Sequence, residues 1–329
     1  MDDPKISIAL GVYNGAPFLE QQVNSYFSQH HSQWDLLVRD DHSQDDSLKI
    51  LKCLTVKEGQ ISFVGECAGN QGVNRNFSLL LESARDSSCE YVALSDQDDV
   101  WEDHKLQEQL TAMQQLESQY PDTPVLVHSD MQVVNEVLEP IAPSYMRYQG
   151  IRHVTEDPLQ VLLVQNYVTG CTILVNRRLL EIALPIPDEA VLHDWWLALC
   201  GTVFGKTAYI DKPLLKYRQH GNNVVGAKNI LNLINPFKTN YLQFWQEGQS
   251  RISGSIQQAL ALSRRMQEHG CRSQDLEFIE SYARLRELSP VQRMKKIKRL
   301  GIHAQSNLRQ LLILTRLWML PSSQAKKAG

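Results

Sequence analysis

A chain of 329 residues with 43% hydrophobic and 21% charged side chains has a globular composition and length enough for one large α/β domain with an appendage. That balance excludes a disordered chain, and no uncharged apolar run approaches the length of a membrane span. The net charge of −4 is unevenly spread: from Arg251 onward there are 15 basic and five acidic residues, and after Glu287 nine Lys or Arg and no acid. Such a tail points to a polyanionic partner, either a membrane surface or nucleic acid.

The first half alternates two kinds of pattern. KISIALGVYN reads as a strand closed by a Gly/Asn turn, and PFLEQQVNSYFSQ as a helix with Pro17 near its start. WDLLVRDD, ISFVGE and YVALSD read as further strands, separated by the helices SQDDSLKILKCL and NRNFSLLLESAR. Strands and helices at this spacing imply βαβ units and a mainly parallel sheet with helices on both faces. Farther on, PVLVHSDMQVVN, CTILVNRRLL and TAYIDKPLLKYRQH read as strands, TEDPLQVLLVQN and WWLALCGTV as helices. Residues 139–153 have proline, glycine and no period, and read as a loop. From Asn229 the pattern is helical, with helices expected over 237–268, 274–287 and 290–319. The last spaces Leu308, Leu311, Leu312, Thr315 and Met319 along one face, as in a basic amphipathic helix at a membrane interface; a helix packed on the domain with its basic face in solvent fits the pattern equally.

The six cysteines have no CxxC pairing, and the N-terminus is acidic where a signal peptide would be basic. Both features suit reduced thiols in a cytoplasmic protein.

Acids gather where strands end. The second strand closes on Asp40-Asp41 and the fourth on Asp96-Gln97-Asp98-Asp99. Like charges so close raise one another's pKa unless a cation or donors offset them. Each pair alone reads as turn and cap chemistry. Together, at the carboxyl ends where open α/β sheets bind ligands, they read as a nucleotide–metal site. An acid such as Asp40 can accept from a pyrimidine or a ribose, Tyr13 can stack on a base, and Arg75 and His220 can neutralise phosphate. No GxxxxGK[ST] is present and no GxGxxG follows the first strand, which weighs against P-loop and dinucleotide folds.

These stretches resemble inverting family 2 glycosyltransferases of the GT-A fold. The likeness runs from about Lys5 to about Val225 and rests on SIALGVYNGAPFLEQQVNS, LLVRDDHSQDDS, GNQGVNRNFS, SDQDDVW, VLHDWW and LKYRQHGNN. SDQDDVW and YRQHGNN are similar to the branch that contains bacterial rhamnosyltransferases of surface-polysaccharide assembly. The resemblance implies a GT-A domain over 1–228, with a nucleotide-sugar half to about 130 and an acceptor half over 131–228. A basic helical region over 229–329 follows.

It further implies that Tyr13, Asp40, Arg75 and Asp96 bind the donor nucleotide. Asp98 and His220 would hold Mn²⁺ or Mg²⁺ with Asp99 in support, and Asp194 would be the catalytic base. The bland reading of Asp194 is a cap of the helix that follows it, and both roles can hold at once. Trp195 and Trp196 could stack on an acceptor sugar, although a helix tryptophan more often packs in a core. Gln97, within D-Q-D-D, leaves open which carboxylate is the direct ligand. The implied reaction moves a sugar from dTDP-rhamnose or a UDP-sugar to a lipid-linked or polysaccharide acceptor. It would run at an anionic membrane surface on the cytoplasmic side, without nucleic acid. A nucleotidyltransferase, or a scaffold that only binds nucleotide-sugars, is the alternative.

Overall fold

The computed structural model describes residues 3–58, 60–65, 69–87, 89–221 and 241–322. The chain forms two compact units. One comprises Met1–Met146, Val168–Ile186 and Leu192–Ala227; the other takes Arg147–Tyr167, Pro187–Val191 and Lys228–Gly329. The expected boundary near residue 228 lies outside the described residues.

The first unit is built on one sheet. Its N-terminal half runs β1 (Ile6–Val12), α1 (Ala16–Phe27), β2 (Trp34–Asp40), α2 (Ser47–Glu58), β3 (Ile61–Phe63), α3 (Val73–Asp86) and β4 (Tyr91–Ser95). Strand β1 is buried along almost its whole length, as a parallel strand covered on both faces must be. Helix α1 begins behind Gly15 with proline in its first turn. Helix α3 buries Phe77, Leu80, Leu81 and Ala84, one side of a 3.6-residue period.

The strands β5 (Val100–Trp101), β6 (Val125–Val134), β7 (Pro140–Ala142), β8 (Leu174–Asn176) and β9 (Lys206–Arg218) complete it. Among the described residues the order is β3-β2-β1-β4-β8-β6-β9-β5, with β7 beside β6. The expected parallel arrangement holds for β3-β2-β1-β4 and for β6 with β9; β8 is antiparallel to both its neighbours. The sheet is therefore mixed.

Four local expectations change. The strand read over 171–180 stops at Asn176, whose side chain accepts from Leu179 N and opens α7 (Arg177–Ala183). Residues 139–153 contain β7 and the short helix α5 (Tyr145–Gln149) instead of a loop. A helix absent from the reading, α4 (Lys105–Gln119), buries Leu106, Leu110 and Met113 in a segment whose glutamines dilute its period. The helix predicted over 290–319 is broken by Gly301, whose φ of 67° is left-handed.

The second unit holds α6 (Pro158–Leu162), α9 (Tyr241–Glu268), α10 (Gln274–Ala283), α11 (Pro290–Leu300) and α12 (Asn307–Met319). Residues 237–240 of the predicted first helix lie outside the described residues. Arg293 is fully buried and clamps this unit, donating to the carbonyls of Leu285 (2.9 Å), Leu288 (3.0 Å), Leu317 (2.5 Å) and Leu320 (2.9 Å). It satisfies carbonyls at the end of α12 that would otherwise lack partners. Among the described residues no helix is long and apolar enough to cross a membrane.

Candidate active site

Strand register gathers the acids. Val12 of β1 lies opposite Asp40 of β2, and Leu10 opposite Ser95 of β4, so the segments after these residues leave the same edge of the sheet. Tyr13 emerges there 46% exposed. Asn14 follows with a φ of 52°, and its side-chain oxygen accepts from Gln44 N at 2.8 Å. Gly15 N donates to Ser47 Oγ (2.8 Å) and Ala16 N to Asp45 Oδ2 (3.0 Å), so the turns after β1 and β2 are laced together.

The two adjacent acids of β2 divide. Asp41 is buried and accepts from Gln71 N (3.0 Å) and Gly72 N (2.8 Å), fixing the loop before α3. Asp40 accepts from Ser43 N at 2.9 Å through Oδ2, while its Oδ1 is buried without a hydrogen-bond partner among the described residues. A buried acceptor left in this way is costly unless a ligand donates to it. Arg75, in the first turn of α3, is exposed and lies 3.9 Å from Glu82 of the same helix; the structure gives it no ion pair with the acids at the strand ends.

The loop after β4 is held from three sides. Gln97 clamps the Tyr13 backbone, accepting from Tyr13 N (2.8 Å) and donating to Tyr13 O (2.9 Å). A Cβ on Gly15 would fall 2.3 Å from Gln97 Oε1, so this clamp requires glycine. Arg218 secures the other end: its backbone N donates to Asp99 Oδ1 (3.2 Å) and its Nε to Asp98 O (2.8 Å), with the guanidinium 4.8 Å from the Phe18 ring. Asp98 Oδ2 meets His220 Nε2 at 2.8 Å, and the His220 ring lies 4.6 Å from that of Phe18. Arg218 is absent from the sequence-based set. Its signal was its place two residues before His220, at the end of β9.

Beneath this loop the side chains are buried. Asp99 is fully buried and held well above the usual carboxylate range, by burial and then by Asp98 and Asp96. Asp96 is raised to about 7 by burial, then by Asp98 and Asp194. Cys171 Sγ lies within 4.8 Å of carboxylate oxygens of both Asp96 and Asp99. Burial and those carboxylates push its thiol up. Lys105 is fully buried below, donating to Gln109 Oε1 at 2.8 Å with its Nζ 3.9 Å from the centre of the Trp101 ring. Burial lowers it to about 7, against the pull of Cys171 and Asp99. Gln109 in turn donates to Thr172 O at 2.7 Å.

The turn Gly170–Thr172 extends this network to Asp194. Gly170 N donates to Asp194 Oδ2 at 3.1 Å. Asp194 is buried in the first turn of α8 (His193–Phe204), and Leu192 is the cap residue, so the alternative in which Asp194 caps the helix is corrected. Two residues inside, the carboxylate still benefits from the helix dipole, and its Oδ1 accepts from Trp195 N at 2.5 Å. His193 stacks on Phe77 with ring centres 4.0 Å apart, and burial lowers its pKa to about 3. Trp196 is fully buried and its Nε1 donates to Ala183 O at 2.8 Å; Trp195 is buried too. Neither indole presents a face for a sugar, so the expectation of an acceptor platform is corrected: both are core residues.

A divalent cation suits this donor set. Asp98 and His220 are side by side beyond the ends of β4 and β9, Asp96 and Asp99 add two carboxylates under mutual repulsion, and Asp99 Oδ2 is buried without a hydrogen-bond partner among the described residues. Hard oxygen donors with one imidazole fit Mn²⁺ or Mg²⁺.

Comparison with known proteins decides the family. The model of "Glycosyl transferase family 2" matches residues 7–181, more than half of the chain. The chain belongs to this family. Among its relatives, "dTDP-rhamnosyl transferase RfbG" of Shigella flexneri is 25% identical over 66% of this chain and 74% of its own. "Putative teichuronic acid biosynthesis glycosyltransferase TuaG" of Bacillus subtilis is 27% identical over 68% of this chain and 83% of its own. Of solved structures, S. aureus TarS 1–349 in complex with UDP covers 98% of this chain and 92% of its own at TM-score 0.54 and 16% identity. The mannosyltransferase PcManGT of Pyrobaculum calidifontis, with GDP-Man and Mn²⁺, covers 90% and 74% at TM-score 0.50 and 15% identity. This family 2 enzyme is a glycosyltransferase with the GT-A fold, and its relatives include bacterial surface-polysaccharide enzymes.

Proposed function

We propose that this glycosyltransferase is metal-dependent and inverting, and that it moves a sugar, with rhamnose favoured, from a nucleoside-diphosphate donor to a lipid-linked or polysaccharide acceptor in surface-glycan synthesis of the O-antigen or capsule type. The observation that carries the reading is the contact of Asp98 with His220 at 2.8 Å, in one unit with Asp194, whose charge reaches Asp96. Rhamnose is favoured by the likeness to a dTDP-rhamnosyl transferase, and a UDP-sugar is the runner-up on the likeness to TarS.

In this reading residues to about 130 handle the donor and residues 131–228 the acceptor. Tyr13 stacks on the base, the unpartnered Oδ1 of Asp40 accepts from it, Arg75 lies beside the diphosphate, and Asp96 near the ribose. Asp98 and His220 hold Mn²⁺ or Mg²⁺, supported by Asp99. A divalent cation bound there would supply positive charge to offset that of the diphosphate leaving group. Inversion requires one in-line displacement: the acceptor oxygen bonds to the anomeric carbon as the bond to the phosphate oxygen breaks. Asp194 takes the acceptor hydroxyl proton as that bond forms. Gly170 N fixes the position of the Asp194 side chain, in the first turn of α8. The reading includes a cytoplasmic enzyme whose C-terminal helices touch an anionic membrane surface, where a lipid-linked acceptor is met.

The test is a thermal-shift panel of dTDP, UDP, GDP and ADP, each with Mn²⁺ and with EDTA. A Mn²⁺-dependent rise with dTDP or UDP, lost in Asp98→Ala, is expected, because a ligand specific to the native state stabilises it by mass action. A well-folded protein that no nucleotide shifts would overturn the donor and metal assignments together.

A further inference from the structure

We infer that the outward face of α12 is a docking surface for an anionic lipid bilayer. This rests on the membrane contact in the proposed function and specifies the surface that makes it. The helix is inside out. Both of its arginines lie on the packed side with Ile313 and Leu317. Arg309 donates to the carbonyls of Gly150 (2.8 Å) and Gln149 (2.5 Å). Arg316 is buried, with its guanidinium 5.0 Å from the Phe244 ring and 5.4 Å from that of Trp245. The solvent side carries Leu308, Leu311, Trp318 and Met319, the last three 62%, 48% and 57% exposed. At 100° per residue these four and Thr315 share one face, and no charged residue lies on it.

A contiguous apolar face of this kind on a protein surface marks a site that something covers. The charge beside it identifies the occupant. Helix α11 packs on α12, and its exposed positions include Lys295, Lys298 and Arg299. No acidic residue follows Glu287 anywhere in the chain. A second copy docking by two-fold symmetry would bring two such basic rows toward one another, an arrangement that like charges oppose. An anionic bilayer satisfies both parts: headgroups meet the lysines, and leucine and indole side chains enter the interface. With 13 residues, α12 lies in the plane of the surface and does not cross it.

The experiment is co-sedimentation of the full chain with phosphatidylcholine vesicles, with and without about one-third phosphatidylglycerol. Wild type is expected to pellet with the anionic vesicles. Leu311→Ser/Trp318→Ser should weaken binding by at least about tenfold, since two large apolar groups leave the interface. Lys295→Gln/Lys298→Gln/Arg299→Gln should lose about fivefold per charge, together with the salt sensitivity of binding. Both variants should keep the melting temperature and nucleotide shift of wild type, because their substituted side chains face solvent. Wild type that remains in the supernatant, or a double variant that binds as wild type does, would overturn the proposal. A wild-type dimer by light scattering that the double variant turns into monomer would also overturn it and give the face to a second copy. Vesicle binding without any nucleotide shift would retain the docking surface and remove the donor reading; the reverse result would remove only the docking surface.

Discussion

Gly15→Ala tests how the acid loop is held. The new Cβ would sit 2.3 Å from Gln97 Oε1 and 2.5 Å from its Cδ, so the Gln97 side chain has to leave. Its departure breaks the two bonds to the Tyr13 backbone, at 2.8 and 2.9 Å. Each is worth about 0.5–1.5 kcal/mol, so about 1–3 kcal/mol is lost in total. Gly15 is also the residue before α1, where exchanging glycine for alanine costs about 0.5 kcal/mol by itself. The two contributions separate in a double-mutant cycle with Gln97→Ala. Once Gln97 is gone, Gly15→Ala should cost only the capping term, giving a coupling of about 1–3 kcal/mol by urea unfolding. In the same variants the loop carrying Asp98 is untied from Tyr13, and Mn²⁺-dependent nucleotide affinity should fall by about tenfold. Additive costs would refute the reasoning, since they would mean that Gln97 and Gly15 act independently.

Asp194→Asn should retain Mn²⁺-dependent nucleotide binding and lose about 10²–10⁴-fold in transfer rate, the usual scale of a general base; near-normal transfer would leave Asp194 a structural residue of the first turn of α8. His193 gives a pH prediction with a definite sign. Its folded-state pKa, about 3, lies below the ordinary value of 6.5, so its stabilisation is present above about pH 6.5 and is lost as pH falls toward 3. The slope approaches about 1.4 kcal/mol per pH unit. Urea unfolding of wild type and His193→Phe between about pH 4.5 and about pH 7.5 should show the flatter profile in the variant; parallel profiles would exclude His193 as the source.

The acids were legible because like charges at the ends of apolar runs have few structural uses, and Asp98 and His220, 122 residues apart, do meet. Their supports were not legible. Asp40 and Asp41 look equivalent in sequence, and only the loop at Gln71–Gly72 makes one a backbone tether and leaves the other with a spare oxygen. Lys105 lies in a glutamine-rich stretch with no marker of burial, and Arg218 bonds to three separate segments, at Asp98-Asp99, Glu136 and Gln21, that come together only in the fold. Helix breaks were the weakest point: Asn176 ends a strand that reads as continuous because its side chain turns to cap α7. The α12 inversion shows the same limit, since periodicity finds two faces but does not say which one packs.

The turn Gly170–Thr172 has a consequence for how donor preference can change. Its sulfur sits against the acids after β4, its first amide holds Asp194, and its last carbonyl is tied through Gln109 to the buried ammonium of Lys105. Three consecutive residues thus act as a fixed gauge between the two sets of carboxylates. The groups proposed to read the base, Asp40 on β2 and Tyr13 just after β1, lie outside this turn; Tyr13 meets the acid loop through its backbone, which Gln97 holds whatever side chain stands there. Substitutions there can retune which nucleotide is accepted while the gauge stays at one setting, so new sugar specificities can arise at one edge of the sheet without rebuilding the chemistry beside it.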